Sequence, residues 1–200
     1  MLNVKNAEIA DLEQIMKIYR YAQDYMIKSG NPTQWGHFYP DADLIKSDID
    51  KNACKVIYDK DGIHGVFALF DGAEPNYKHI EGGNWLNEEP YLTIHRLAGD
   101  GQVHGLFPCA LNYCKKISLN IRVDTHADNK TMQRLIEKNG FIKCGTIYVK
   151  NGTARIAYQR TDFRAARFAS ISLNTTRSAA RNVSSSVDRH SDNWQEIVER

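Results

Sequence analysis

HRLAGDGQVHGLFPCALNYC, residues 95–114, decides how this chain is read. An apolar run ends at Ala98, and glycines follow at 99, 101 and 105. Phe107, Ala110, Leu111 and Cys114 then share a stripe with helical spacing. A strand therefore enters a helix through a turn that carries few side chains. Glycines serve there because backbone turns tightly or approaches another group closely. The first amides of the helix have no partner within it, and the helix dipole favours negative charge at that end. Such a turn is either an anion site, most naturally for a phosphate or pyrophosphate, or a plain strand-to-helix connection. The residues alone leave both open. Neither the P-loop pattern nor a dinucleotide-binding glycine fingerprint in an early strand–turn–helix unit is present.

Outward from this stretch the chain alternates between strand and helix patterns. Toward the N-terminus, residues 3–9 read as a strand. A helix follows, capped by Asp11 with Gln14 three residues on, and carrying Leu12, Ile15, Met16, Tyr19 and Ala22. Gly30–Asn31–Pro32 ends it, and residues 43–50 form a second, short helix. Residues 55–59 and 63–70 read as strands joined by the turn KDG, and 91–98 as another. A polar loop over 74–90 carries Tyr77, His79 and Trp85, and loops of that length often carry function. Beyond the helix at 107–116, residues 120–125 read as a strand and 129–139 as a helix stopped by Gly140. Strands at 141–149 and 153–159 joined by KNG close the pattern. A mixed, twisted sheet of six to seven strands flanked by helices follows, an α/β class.

The 200 residues suit one globular domain with a tail: 1–162 as the domain, and 163–200, rich in Arg, Ser and Ala, as a mobile tail or loosely attached helix. With 26 Lys and Arg against 24 Asp and Glu the net charge is only +2, which gives no global signal for nucleic acid. The apolar runs are too short for a membrane span, and the first residues do not form a secretory signal. Cys54, Cys109, Cys114 and Cys144 lie in or beside apolar patterns and read as reduced thiols, so a cytoplasmic protein is expected. A metal centre is not expected. Asp124, His126 and Asp128 lack an HExxH partner set, and the cysteines lack zinc spacing.

Residues 2–161 resemble the GCN5-related N-acetyltransferase (GNAT) superfamily. Its signature is Arg or Gln, two residues, Gly, one residue, then Gly or Ala. Gln102–Val103–His104–Gly105–Leu106 matches the first five positions, and Phe107 departs at the sixth. The stretch DTHADNKTMQRLIEKNGF, residues 124–141, adds an Asn129 that opens a helix and a Gly140–Phe141 that ends it. YLTIHRLA and NIRVDTHADN are similar to small acetyltransferases of Gram-positive bacteria.

The resemblance implies that acetyl-CoA binds between the strand ending at Ala98 and the strand from Asn120. Its pantetheine arm would use backbone groups near His95 and Leu97. The amides of Gln102, Val103, His104, Gly105, Leu106 and Phe107 would hold the pyrophosphate. Asn129 would bond the arm, and Met132 would pack nearby or serve as core. An amine attacks the thioester directly in a ternary complex, and an amide near His95 or Leu97 stabilises the charge on the carbonyl oxygen, a donor typically worth roughly 3 kcal/mol. Tyr91, Thr93, His95 and Leu97 alternate onto one strand face. His95 and Tyr91 are candidate bases, with packing as the alternative role for His95. The tyrosine that often protonates the departing thiolate is replaced by Ile136, which leaves Tyr148 as a spatial candidate.

Acceptor contacts are expected from residues 29–40, with Trp35 and Tyr39, and from the polar loop, with Tyr77 and Trp85. Glu74, Glu81, Glu88 and Glu89 either favour a cationic amine or are simply solvated. The expected partner is a primary amine of a small molecule or peptide, with no nucleic acid and no membrane, and family habit leaves room for a homodimer. Phe107 and Ile136 keep open a non-catalytic acyl-CoA-binding or regulatory domain. The basic tail keeps open an interaction protein with an acidic partner.

Overall fold

The computed structural model describes residues 1–161. The expected tail at 163–200 lies outside the described residues. In chain order the elements are β1 (Asn3–Asn6), a 3-10 turn (Ile9–Asp11), α1 (Leu12–Lys28), α2 (Ala42–Asp50), β2 (Cys54–Asp59) and β3 (Gly62–Asp71). A second 3-10 turn (Pro75–Tyr77) precedes β4 (Leu92–Gly99), α3 (Leu106–Cys114), β5 (Ile121–Thr125), α4 (Lys130–Lys138), β6 (Ile142–Tyr148) and β7 (Ala154–Arg160). The seven strands form one sheet in the order β1-β2-β3-β4-β5-β7-β6. Among the described residues only β4 and β5 run parallel; the other neighbours are antiparallel. The mixed sheet flanked by helices is the expected class.

Local differences have local causes. The first strand stops at Asn6 because the chain turns into the 3-10 helix. Asp11 does not cap α1 with its side chain. Its carboxylate instead accepts from the Glu8 amide at 2.9 Å, one turn earlier than expected. Asp41 caps α2, accepting from the Leu44 amide at 2.8 Å.

The sheet buries both faces. On one, Leu92, Ile94, Ile121 and Val123 pack with Phe107 and Leu111 from α3, Ile136 from α4 and Phe141 just after it. On the other, Val56, Val66 and Ala98 pack with Ile15, Ile18, Tyr19 and Ile45 from α1 and α2. All four cysteines are free; Cys54, Cys114 and Cys144 are buried and Cys109 is half-buried. Among the described residues no helix is long and apolar enough to cross a membrane.

Candidate active site

The site begins where the parallel pair comes apart. β4 and β5 register only at Leu92–Ile121 and Thr93–Arg122, although both strands continue. Beyond Thr93 the facing edges have no ladder partner across the gap, which leaves main-chain groups there for another molecule. A bulge in β4 sits beside this gap. Val66 pairs with Ala98 but Ala68 pairs with His95, so β4 spends one residue more than β3 over the same span. Arg96 takes up the extra residue with φ of +53°, a conformation that disfavours any side chain with a Cβ.

Three residues from the first two helices and their connection hold the bulge. Tyr19 donates from its hydroxyl to the Arg96 carbonyl at 3.1 Å. Arg96 donates to Asp48 at 2.6 Å and to the Tyr39 hydroxyl at 3.3 Å. Helical spacing assigns Tyr19 only an apolar role, and nothing local ties Asp48 to Arg96. The bulge also corrects the expected alternation: Leu97 packs with the cluster of Leu92 and Ile94, on the face opposite His95.

The gap opens into a cavity of about 870 Å³. Val103, His104, Gly105, Leu106 and Phe107 line one end. Their five amides have no acceptor among the described residues. Gly105 is the residue before α3 and takes φ of +86°, which aims the following amides along the helix axis. Gly101 likewise takes a positive φ, +75°, and a Cβ there would meet the Tyr21 ring. One expectation at this turn needs correction. The Gln102 amide is already used, donating to Asp100 at 2.9 Å, and its side chain faces a separate, smaller cavity. An Asp–Gly–Gln sequence is itself a signal for that Asx-type turn. Phe107 does not crowd the turn, because its ring is turned into the core, edge-on to Phe141 with centroids 6.0 Å apart.

Asn129 and Met132 also line the cavity. Asn129 caps α4, accepting from the Met132 amide at 3.0 Å, and donates to Gln34 at 3.1 Å. Both ends of its amide are therefore engaged within the protein.

At the other end His95 meets two carboxylates. Its Nε2 lies 3.1 Å from Glu74 and its Nδ1 lies 3.7 Å from Asp124. Glu74 is not a solvated loop charge. Its other oxygen accepts from the Asn76 amide and side chain at 3.1 and 2.7 Å. The hydrogen bond from His95, followed by those from Asn76, draws its pKa down to about 2. An ionised Glu74 only accepts, so a neutral His95 carries its proton on Nε2 and keeps the Nδ1 lone pair. Asp124 accepts from the Tyr77 hydroxyl at 2.9 Å and lies 3.9 Å from Arg155. Glu74, Asp124 and Arg155 all line the cavity, and Trp35, Tyr39 and Phe70 supply its aromatic wall.

Four expected site residues lie elsewhere. Tyr91 is stacked on Tyr77, with centroids 6.3 Å apart, and its hydroxyl accepts from the Glu74 amide. Arg122 is sandwiched between the Tyr91 and Trp85 rings, 3.8 and 4.0 Å from their centroids. Trp85 donates to the Tyr77 carbonyl at 3.0 Å. Tyr77, Trp85 and Tyr91 thus form a packed layer behind the cavity wall and help place Glu74 and Asp124. Tyr148 is half-exposed at the end of β6, where it donates to Glu81 at 2.9 Å. Ile136 is fully buried in the core.

No family model matches the chain, and comparison with curated proteins yields no match. Solved structures do match. The chain is similar to a GNAT-family acetyltransferase from Streptococcus agalactiae 2603, with 29% identity over 80% of this chain and 95% of that one, at a TM-score of 0.71. It is similar to a putative acetyltransferase from Staphylococcus aureus Mu50, with 27% identity, 79% and 97% coverage and a TM-score of 0.58. A GNAT-family acetyltransferase from Listeria monocytogenes 4b F2365, 19% identical over 80% of this chain and 94% of that one, shares the fold at a TM-score of 0.59.

Proposed function

From the premise that the chain belongs to the GNAT superfamily, we propose that it transfers an acetyl group from acetyl-CoA to a primary amine of a small molecule or peptide. One observation carries this reading. A single cavity joins five amides of the β4–α3 turn, unpartnered among the described residues, to a carboxylate-held histidine through the gap between β4 and β5. The donor set fits the group: clustered backbone amides at a helix start suit a diphosphate, and an unpaired strand edge suits an extended amide-bearing arm.

Bound acyl-CoA supplies an activated thioester carbonyl. The protein does the rest. Glu74 and Asp124 attract a cationic amine, and the aromatic wall of Trp35, Tyr39 and Phe70 takes its apolar part. The Nδ1 atom of His95 accepts the proton that the amine must lose before attack. Glu74 holds the imidazole in that tautomer, and the Asp124 carboxylate steadies the imidazolium that results. A main-chain amide of β4 beside His95 or Leu97 would stabilise the charge that grows on the thioester's carbonyl oxygen. Acyl transfer would form the carbon–nitrogen bond and break the carbon–sulfur bond of the thioester, and solvent would supply the thiolate's proton.

The test is calorimetric titration with CoA and with pantetheine, alongside a thiol-release assay over a panel of amines. CoA should bind at least about a hundredfold more tightly than pantetheine, the difference made by two or three charge-assisted hydrogen bonds. Equal binding of the two removes the phosphate role of the turn. Tight CoA binding without turnover on any amine favours a binding module instead of an enzyme.

A further inference from the structure

His64, on β3, stands outside the cavity just described, yet it is joined to the turn. Its Nδ1 lies 2.8 Å from Asp100 and its Nε2 3.0 Å from Asp59. The three side chains are 9%, 10% and 18% exposed. Asp100 is shared: one oxygen faces His64 and the other accepts from the Gln102 amide, while its own amide donates to the His64 carbonyl at 2.9 Å. Asp100 therefore opens the very turn whose later amides have no acceptor among the described residues.

We propose that His64 is a positioning residue for the cofactor turn, holding Asp100, and through it Gln102 and the loop to Gly105, only while the imidazole carries both of its protons. This rests on the reading of the turn as a phosphate site. The reason is a count of donors. Two carboxylates accept from one ring, and a neutral imidazole donates from one nitrogen only. Loss of a proton sets a lone pair against a carboxylate at one of the two contacts. Asp100, then Asp59, raises the pKa of His64 above the ordinary histidine value. The grip is complete below the ordinary value and is lost as pH rises through the raised one.

The charged groups around His64 are Asp59 and Asp100 in contact and Asp61 at the rim of the small cavity, where it pairs with Lys60. Gln14 from α1 and Gln102 from the turn complete that cavity, and neither titrates. His104 is a second imidazole within the turn, and His64→Gln leaves it in place.

The experiment is an NMR pH titration of the full chain without ligand, following the His64 ring and the amides of residues 100–105, in wild type and in His64→Gln. Gln has a single donor nitrogen in place of the two ring nitrogens, and it does not titrate. The expected result is one common midpoint for His64 and the turn amides in wild type, and no transition at that midpoint in the variant. Turn amides indifferent to the His64 titration, or the same transition in His64→Gln, overturn the proposal. The second arm is CoA affinity. Wild type should lose about threefold to tenfold between pH 6 and pH 9 relative to His64→Gln, the range of one weakened hydrogen bond. Equal pH profiles in the two proteins also overturn it. If CoA fails to bind at any pH while ring and turn titrate together, the phosphate reading falls and the coupling between His64 and the turn stands.

Discussion

Asp48→Ala tests the link between the fold and the site most directly. Asp48 and Arg96 form a pair at 2.6 Å whose side chains are 5% and 10% exposed. Removing the carboxylate strands a guanidinium in a largely dry setting, for which typical losses are about 3–5 kcal/mol. Arg96 borders the cavity, so water reaches part of it, and the low end, about 3 kcal/mol, is expected. A domain of this size loses about 2–4 °C in Tm per kcal/mol, giving a fall of roughly 6–12 °C. Asp48→Asn keeps an acceptor and should lose about half as much. Replacing both partners, Asp48→Ala with Arg96→Met, removes the stranded charge and should cost less than the sum of the single changes. Thermal and urea melts followed by circular dichroism read wild type, the single variants Asp48→Ala, Asp48→Asn and Arg96→Met, and the double variant. A fall of less than about 2 °C for Asp48→Ala, or strict additivity in the double variant, would show that the pair does not hold the bulge in place.

His95→Ala should lower kcat roughly 10²–10⁴-fold, the usual contribution of a general base, with the Kd for CoA unchanged; single-turnover rates beside calorimetry check it, and an unchanged kcat removes His95 from the reaction. Glu74→Gln should give a stability gap to wild type that is full above the ordinary carboxylate value of 4.5 and closes as pH falls toward about 2, because the folded form holds this carboxyl low; acid denaturation of the two proteins reads it, and a gap that widens with acid contradicts the assignment. Cys54 and Cys114, whose thiols burial pushes up to about 12, should resist alkylation at pH 8 in the native protein and react once urea unfolds it, with mass spectrometry counting the adducts.

The order and type of nearly every element were legible in the sequence, because periodicity, caps and breakers act over a few residues. Observed ends differ from the expected ones by a residue or two, apart from the first strand and the capping of α1. The turn from Ala98 to Phe107 was legible for the same reason, since its glycines and its helix start are local; the capture of the Gln102 amide by Asp100 is local too, but the expectation of a phosphate donor at Gln102 overlooked it. What the tertiary structure decided lies in contacts between distant residues. The bulge at Arg96 exists because Tyr19 and Asp48 arrive from other elements to hold it, and it alone sends His95 and Leu97 to opposite faces. Glu74 becomes the partner of His95, and Asp124 joins them, only when the loop before β4 folds over β5. Tyr77, Trp85 and Tyr91 carry the composition of a binding surface, but Arg122 reaches between two of them and makes them packing. A side chain's chemistry is written in the sequence; whether it faces a cavity or a neighbour depends on which strand lies beside it, and that is settled by long-range pairing that no local pattern encodes.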